Sequence, residues 1–155
     1  MENLVIGTAT MVTCVVVQCV VVGVLFRLLI ELDRKHVLQP TIPRTSGVLA
    51  AVLLIMVIGH VFQVILWAGV FYQRGEFGDF ATACYHSTVN FTALGYGDLV
   101  MSSKHRLLGA MEAANGVLMF GLSTSMLFAV LHAMMRRAWE HRHRRTPNID
   151  EGLDI

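Results

Sequence analysis

Two stretches without a single Asp, Glu, Lys or Arg, Leu4 to Phe26 and Thr45 to Gln73, decide what this chain can become. Each exceeds the roughly 20 apolar residues that cross about 30 Å of hydrocarbon. No water is at hand there for backbone N–H and C=O groups, so a crossing segment has to pair them internally, as a helix does. A third apolar run, Leu107 to Met135, carries one acid, Glu112, together with Gly109, Gly116 and Gly121. Composition agrees: 55% of the 155 residues are hydrophobic and 15% charged, against about 45–50% and about 25% in soluble domains. Three spans and one shorter segment nearly exhaust the length and leave no room for a second folded domain.

Taken in order, the first run opens Met1-Glu2-Asn3 without a basic start, which predicts a retained helix rather than a cleaved signal peptide. It reads as a lipid-facing anchor without functional residues. Arg27 to Ser46 is a basic link, Arg27, Arg34, Lys35 and Arg44 against Glu31 and Asp33, in which Pro40 and Pro43 predict a break in helix. After the second span, Arg74 to Asp79 with Gly75 and Gly78 forms a turn, and Asp79 is placed to cap a helix beginning at Phe80. Phe80 to Thr92 is too short and too polar to cross. It predicts a re-entrant helix, a feature tolerated at membrane depth only against protein or water. In the last span Gly121, Ser125, Ala129 and Ala133 recur every four residues, a stripe that permits close helix packing.

A net charge of +1 gives no field for nucleic acid. The basic residues speak instead to topology. With the 27–44 link and the tail (Arg136, Arg137, Arg142, Arg144 and Arg145) inside, nine of the twelve Lys and Arg side chains are cytoplasmic and the N-terminus lies outside. The tail arginines are expected to attract anionic lipid headgroups, worth about 1 kcal/mol each near the surface. Cys14, Cys19 and Cys84 form no Cys-x-x-Cys pair and read as reduced small hydrophobes. His, Cys and carboxylates converge in no metal or nucleophile spacing, so neither an enzyme nor a cofactor is expected. His60 reads as a satisfied interior group, and His132 as an interface residue.

Between the re-entrant segment and the last span lies Ala93-Leu94-Gly95-Tyr96-Gly97-Asp98, a loop at a depth where loops are costly. Glycines at 95 and 97 reach backbone conformations closed to other residues and let successive carbonyls face one side, where they replace an ion's water shell. This stretch resembles the filter of the tetrameric potassium channels, usually Thr-Val-Gly-Tyr-Gly-Asp. Gly95, Tyr96, Gly97 and Asp98 match it, with Leu94 for valine and Ala93 for threonine. Tyr85 to Thr92 looks like that family's pore helix. The resemblance spans about Val48 to Arg137.

The resemblance implies an all-α membrane protein, three transmembrane helices plus a re-entrant pore helix and filter loop, assembled as a homotetramer. Segments 1–30, 31–46, 47–137 and 138–155 would be the N-terminal helix, a cytoplasmic basic loop, the pore domain and a short tail. K⁺, the cargo, would sit on carbonyls of Ala93, Leu94, Gly95 and Tyr96, with Gly97 completing the filter and Asp98 concentrating cations at the outer mouth. Tyr85, His86, Thr92 and Glu112 would support the pore helix, with Tyr85 or His86 bonded to Tyr96. The family's acidic brace behind Asp98 would be missing, because Val89 stands there. Gly116 would be the hinge of the inner helix, with Val117, Phe120, Thr124 and Phe128 facing the axis. Glu112 divides between a structural brace and a proton-sensitive element. The implied activity is passive K⁺ conduction across the plasma membrane, or the inner membrane in a bacterium. Loss of the hydroxyl at Ala93 keeps a weakly selective K⁺/Na⁺ pore as the alternative, and a non-conducting subunit that uses the fold as a scaffold as another.

Overall fold

The computed structural model describes residues 1–34 and 42–143, and those residues form four helices and no strand. α1 is Glu2–Arg34, α2 Ile42–Gln73, α3 Phe80–Phe91 and α4 Arg106–His143. Three contain stretches long and apolar enough to cross a membrane: Glu2–Leu32, Pro43–Gln73 and Arg106–Trp139. α3 has 12 residues and reaches about 18 Å at 1.5 Å per residue, so it enters the layer without crossing it.

The 27–46 link is largely helical rather than a loop. Past Phe26 the sequence Arg-Leu-Leu-Ile-Glu-Leu has good helix formers, and α1 continues to Arg34. α2 already begins at Ile42, with Pro43 in its first turn, where a missing N–H costs no intrahelical bond. Pro40 lies outside the described residues. α4 likewise passes unbroken through Glu112 and its three glycines, and beyond Arg137 to His143. The expected tail falls mostly within 144–155, outside the described residues.

Burial follows helical spacing. In α1 the buried positions Thr10, Cys14, Gln18 and Leu25 make one stripe, and in α2 Val48, Val52, Met56, Gln63, Trp67 and Phe71 make another. The opposite face of α2, Leu53, Leu54, Val57, Ile58, Val61, Phe62 and Ile65, is exposed, an apolar patch suited to lipid rather than water. The interior has two layers. Cys14, Trp67, Phe71, Phe91, Leu108 and Met119 bring all four helices together around α3, while Leu25, Val48, Val52, Met56, Met126 and Val130 join only the three long ones. Lipid tails are as apolar as these side chains, so close packing, not escape from water, holds the helices together.

Polar contacts fix the ends. Arg74 donates to Glu2 at 2.6 Å and the Asn3 amide donates to the Lys104 carbonyl at 2.5 Å. The start of α1, the end of α2 and the approach to α4 therefore lie at one end of the bundle. Arg27, Arg34, Arg44, Arg136 and Arg137 sit near the opposite helix ends.

Candidate functional site

α3 starts where Asp79 caps it. Asp79 is extended (φ −142°, ψ 158°) and accepts from the Thr82 N–H at 2.8 Å and the Thr82 hydroxyl at 2.6 Å. These bonds, the hydroxyl first, hold its carboxyl below the ordinary aspartate range. At the far end the helix carbonyls are not left bare. Ala93 N–H donates to Asn90 O at 2.8 Å, and Leu94 N–H to Val89 O at 3.0 Å. Thr92 is the C-cap, its hydroxyl turned back to Thr88 O at 2.8 Å. The 93–98 stretch thus hangs from the last turn of α3, at the negative end of that helix's dipole, where cations are favoured.

Along the stretch the backbone changes hand at every residue. Ala93, Gly95 and Gly97 have φ of 55°, 59° and 75°, while Leu94 and Tyr96 between them do not have positive φ. Such alternation turns successive carbonyls toward one side instead of around a helix axis. Glycine adopts the left-handed region freely, but alanine is strained there by about 1–2 kcal/mol. Ala93 is held by its own N–H bond and that of Leu94. Residues 93–98 are exposed in the single chain.

Asp98 closes the stretch with both carboxylate oxygens engaged. The Tyr85 hydroxyl donates to Oδ2 at 2.7 Å and the Leu99 N–H to Oδ1 at 3.0 Å. The Tyr85 bond leads the effects that hold this carboxyl below its ordinary range. Val89 is buried, and the side chain that holds Asp98 from α3 is Tyr85. Neither Tyr85 nor His86 bonds Tyr96 within the chain. His86 instead receives the Asn90 amide on Nε2 at 2.8 Å and meets Leu99 O through Nδ1 at 3.2 Å, a pattern that the neutral Nδ1–H tautomer satisfies.

Behind α3, Glu112 of α4 is fully buried and contacts the Ser87 hydroxyl, which also lies 2.8 Å from Val64 O. Glu112 is therefore adjacent to the pore helix. Thr88 turns away to Cys84 O. Gly116 meets α3 backbone to backbone: a Cβ added there would lie 1.8 Å from Phe91 O. The residue expected as a hinge is a point of closest approach between two helices.

The four residues expected on the axis differ among themselves. Val117 and Phe128 are well exposed, at 59% and 69%. Phe120, at 39%, also packs on Phe91 and His60 of its own chain, with ring centroids 5.7 and 4.9 Å away. Thr124 is exposed and bonds Phe120 O. His132 stacks on Phe128 at 6.2 Å.

Two groups escape the sequence reading. Glu76, in the turn after α2, receives the Ser102 N–H and hydroxyl, both at 2.7 Å, and contacts His105 at 2.5 Å. Burial works against its charge, but these hydrogen bonds outweigh that and hold its carboxyl below the ordinary range. The cluster straps the segment leaving residue 98 to the turn that enters α3. In the middle of the membrane, Gln18, Gln63, Ser123 and His60 are bonded across α1, α2 and α4. No spacing rule marks either group, since the bonded partners lie 26 to 105 residues apart.

A search of the curated proteins and of the solved structures finds no match. The model of a family described as ion channels matches residues 50–133. That span takes in α2 from Ala50 onward, then α3, the 93–98 stretch and α4 to Ala133, and leaves out α1. A short capped helix between two crossing helices, with backbone of alternating hand after it, is the arrangement within that match, and the chain belongs to this family of pore-domain ion channels.

Proposed function

We propose that four copies of this chain surround a central pore and pass K⁺ passively, on carbonyls of Ala93, Leu94, Gly95 and Tyr96, with Gly97 and Asp98 at the outer mouth. The observation that carries this reading is the alternating backbone at Ala93, Gly95 and Gly97, suspended from the C-terminal turn of α3. One chain provides one strand of oxygens, and a closed ring needs symmetric copies. The exposure of residues 93–98 in the single chain supports this, because irregular backbone at membrane depth has to face protein or water. The exposed small residues of α4, Gly121, Ser125, Ala129 and Ala133, offer a face on which copies approach closely.

The orientation puts the filter's outer mouth and Met1 outside, and the arginine-bearing ends of α1 and α4 inside against anionic headgroups. Ala93 favours one narrower variant, a pore of weaker K⁺ over Na⁺ preference, since each copy lacks the hydroxyl that the family's threonine brings to the innermost position. Purified protein in K⁺-loaded vesicles tests the reading: K⁺ efflux that a potential of the opposite sign halts supports it, and tight vesicles at every potential refute it.

A further inference from the structure

α1 lies outside the family match, yet it is not a bare anchor. Gln18 sits mid-span, 1% exposed, where a polar group without partners would be expensive. Its Oε1 accepts from Gln63 Nε2 at 2.9 Å, and its Nε2 donates to Ser123 Oγ at 3.1 Å. Ser123 Oγ is in turn 3.0 Å from His60 Nε2. The bonds run in one direction, amide to amide to hydroxyl to imidazole, with Gln63, Gln18 and Ser123 each donating to the next group and His60 accepting at the end, so they reinforce one another. His60 then touches two aromatic rings, Phe120 at 4.9 Å and Phe91 at 6.0 Å. Phe91 ends α3, two residues before Ala93, and its carbonyl presses on Gly116. α1 meets the pore unit at its outer end as well, through Glu2 on Arg74 and Asn3 on Lys104 O.

We propose that Gln18 is a positioning residue of the pore: through Ser123 and His60 it fixes Phe91 and with it the foot of the 93–98 stretch, so that α1 is a working wall of the conducting unit. The inference rests on the channel reading for its consequence, but its physical core, a coupling from α1 to the backbone at Ala93 and Leu94, does not need ions to move. Gln18→Leu removes these two hydrogen bonds, and the weaker one from Nε2 to Met56 Sδ at 3.6 Å, at similar size, and Ser123→Ala cuts the chain from the other side. Gln18 is buried between the helices of one chain and Ser123 is half-buried against it.

The test pairs two measurements on full-length protein in lipid nanodiscs and vesicles. Amide hydrogen exchange at Ala93 and Leu94 is expected to quicken about three- to eighteenfold in either variant, the range one interhelical hydrogen bond in a membrane spans, while amides at the inner ends of α1 and α4 keep wild-type protection. The K⁺/Na⁺ permeability ratio should shift in the same two variants, and the double variant should be no worse than either single one. Unchanged exchange at Ala93 and Leu94 in both single variants overturns the proposal, as do effects that simply add. If Gln18→Leu fails to fold, Ser123→Ala carries the same decision alone. A wild-type protein that passes no ion defeats the channel reading, and the exchange measurement still decides the coupling.

Discussion

Glu112, in the second turn of α4, closes on the hydroxyl of Ser87, and that hydroxyl also lies against the carbonyl of Val64. Ser87 has one proton and two acceptor neighbours. Both contacts are hydrogen bonds when Glu112 carries a proton and gives it to Ser87, which passes its own to Val64 O. α4, α3 and α2 are then joined in one relay behind the 93–98 stretch.

Glutamine at this position reproduces the donor. Glu112→Gln is therefore expected to keep the assembled protein and its current, within about 1 kcal/mol in stability, and Glu112→Ala to lose about 1–3 kcal/mol with the relay broken. Thermal unfolding of the detergent-solubilised oligomer, monitored by size, checks both. An alanine variant as stable and active as wild type would remove Glu112 from the site.

At Gly116 two roles make different predictions. A hinge glycine replaced by alanine changes gating and leaves assembly intact. Contact with Phe91 O forbids that outcome, since the added carbon would lie 1.8 Å from a backbone oxygen that has to move with all of α3. Gly116→Ala is expected to destabilise at or above the upper end of the roughly 1–3 kcal/mol range for overpacking, seen as lost assembly. A well-assembled variant with altered opening would contradict this.

The carboxylates around α3 and the 93–98 stretch set a pH window. Asp79, Asp98 and Glu76 are each held below their ordinary values by hydrogen bonds. A carboxylate depressed in the folded state contributes stability above its unfolded pKa and loses it as pH falls through the lower, folded one. The contribution of these three groups is thus level from pH 7 to about 5 and declines below about 4. Unfolding temperatures across that range test the shape, and Asp79→Ala, which removes the N-cap of α3, should lower the unfolding temperature at neutral pH and flatten part of the acid limb.

What is legible in the sequence is what is local. Uncharged length gives the three crossing helices, and Asp79 before a short polar segment gives the capped α3. The helix ends are less legible, because Pro43 in a first turn and the helix-forming residues after Phe26 read as a loop when only charge and proline are weighed. Tyr85 is recognisable as a supporting residue, but its partner Asp98 is 13 residues away and emerges only once the chain folds back. Gln18, Gln63 and Ser123 look like tolerated polar singletons in apolar runs. Their adjacency is a property of helix packing, which no periodicity within one helix encodes.

Ala93 carries two opposed effects. Ala93→Thr adds a hydroxyl to each copy of the chain, yet it puts a β-branched residue at φ 55°, a conformation such residues rarely take. K⁺ over Na⁺ preference is expected to rise while the assembled protein loses stability. Ala93→Gly should relieve strain and leave the permeability ratio near that of wild type.

The reversal potential of purified protein in a bilayer, with K⁺ on one side and Na⁺ on the other, tests the central claim most directly. A ladder of carbonyls at Ala93, Leu94, Gly95 and Tyr96 predicts a reversal displaced toward the K⁺ equilibrium potential, and displaced further in Ala93→Thr. A reversal at zero in both proteins, or no current at all, would contradict it.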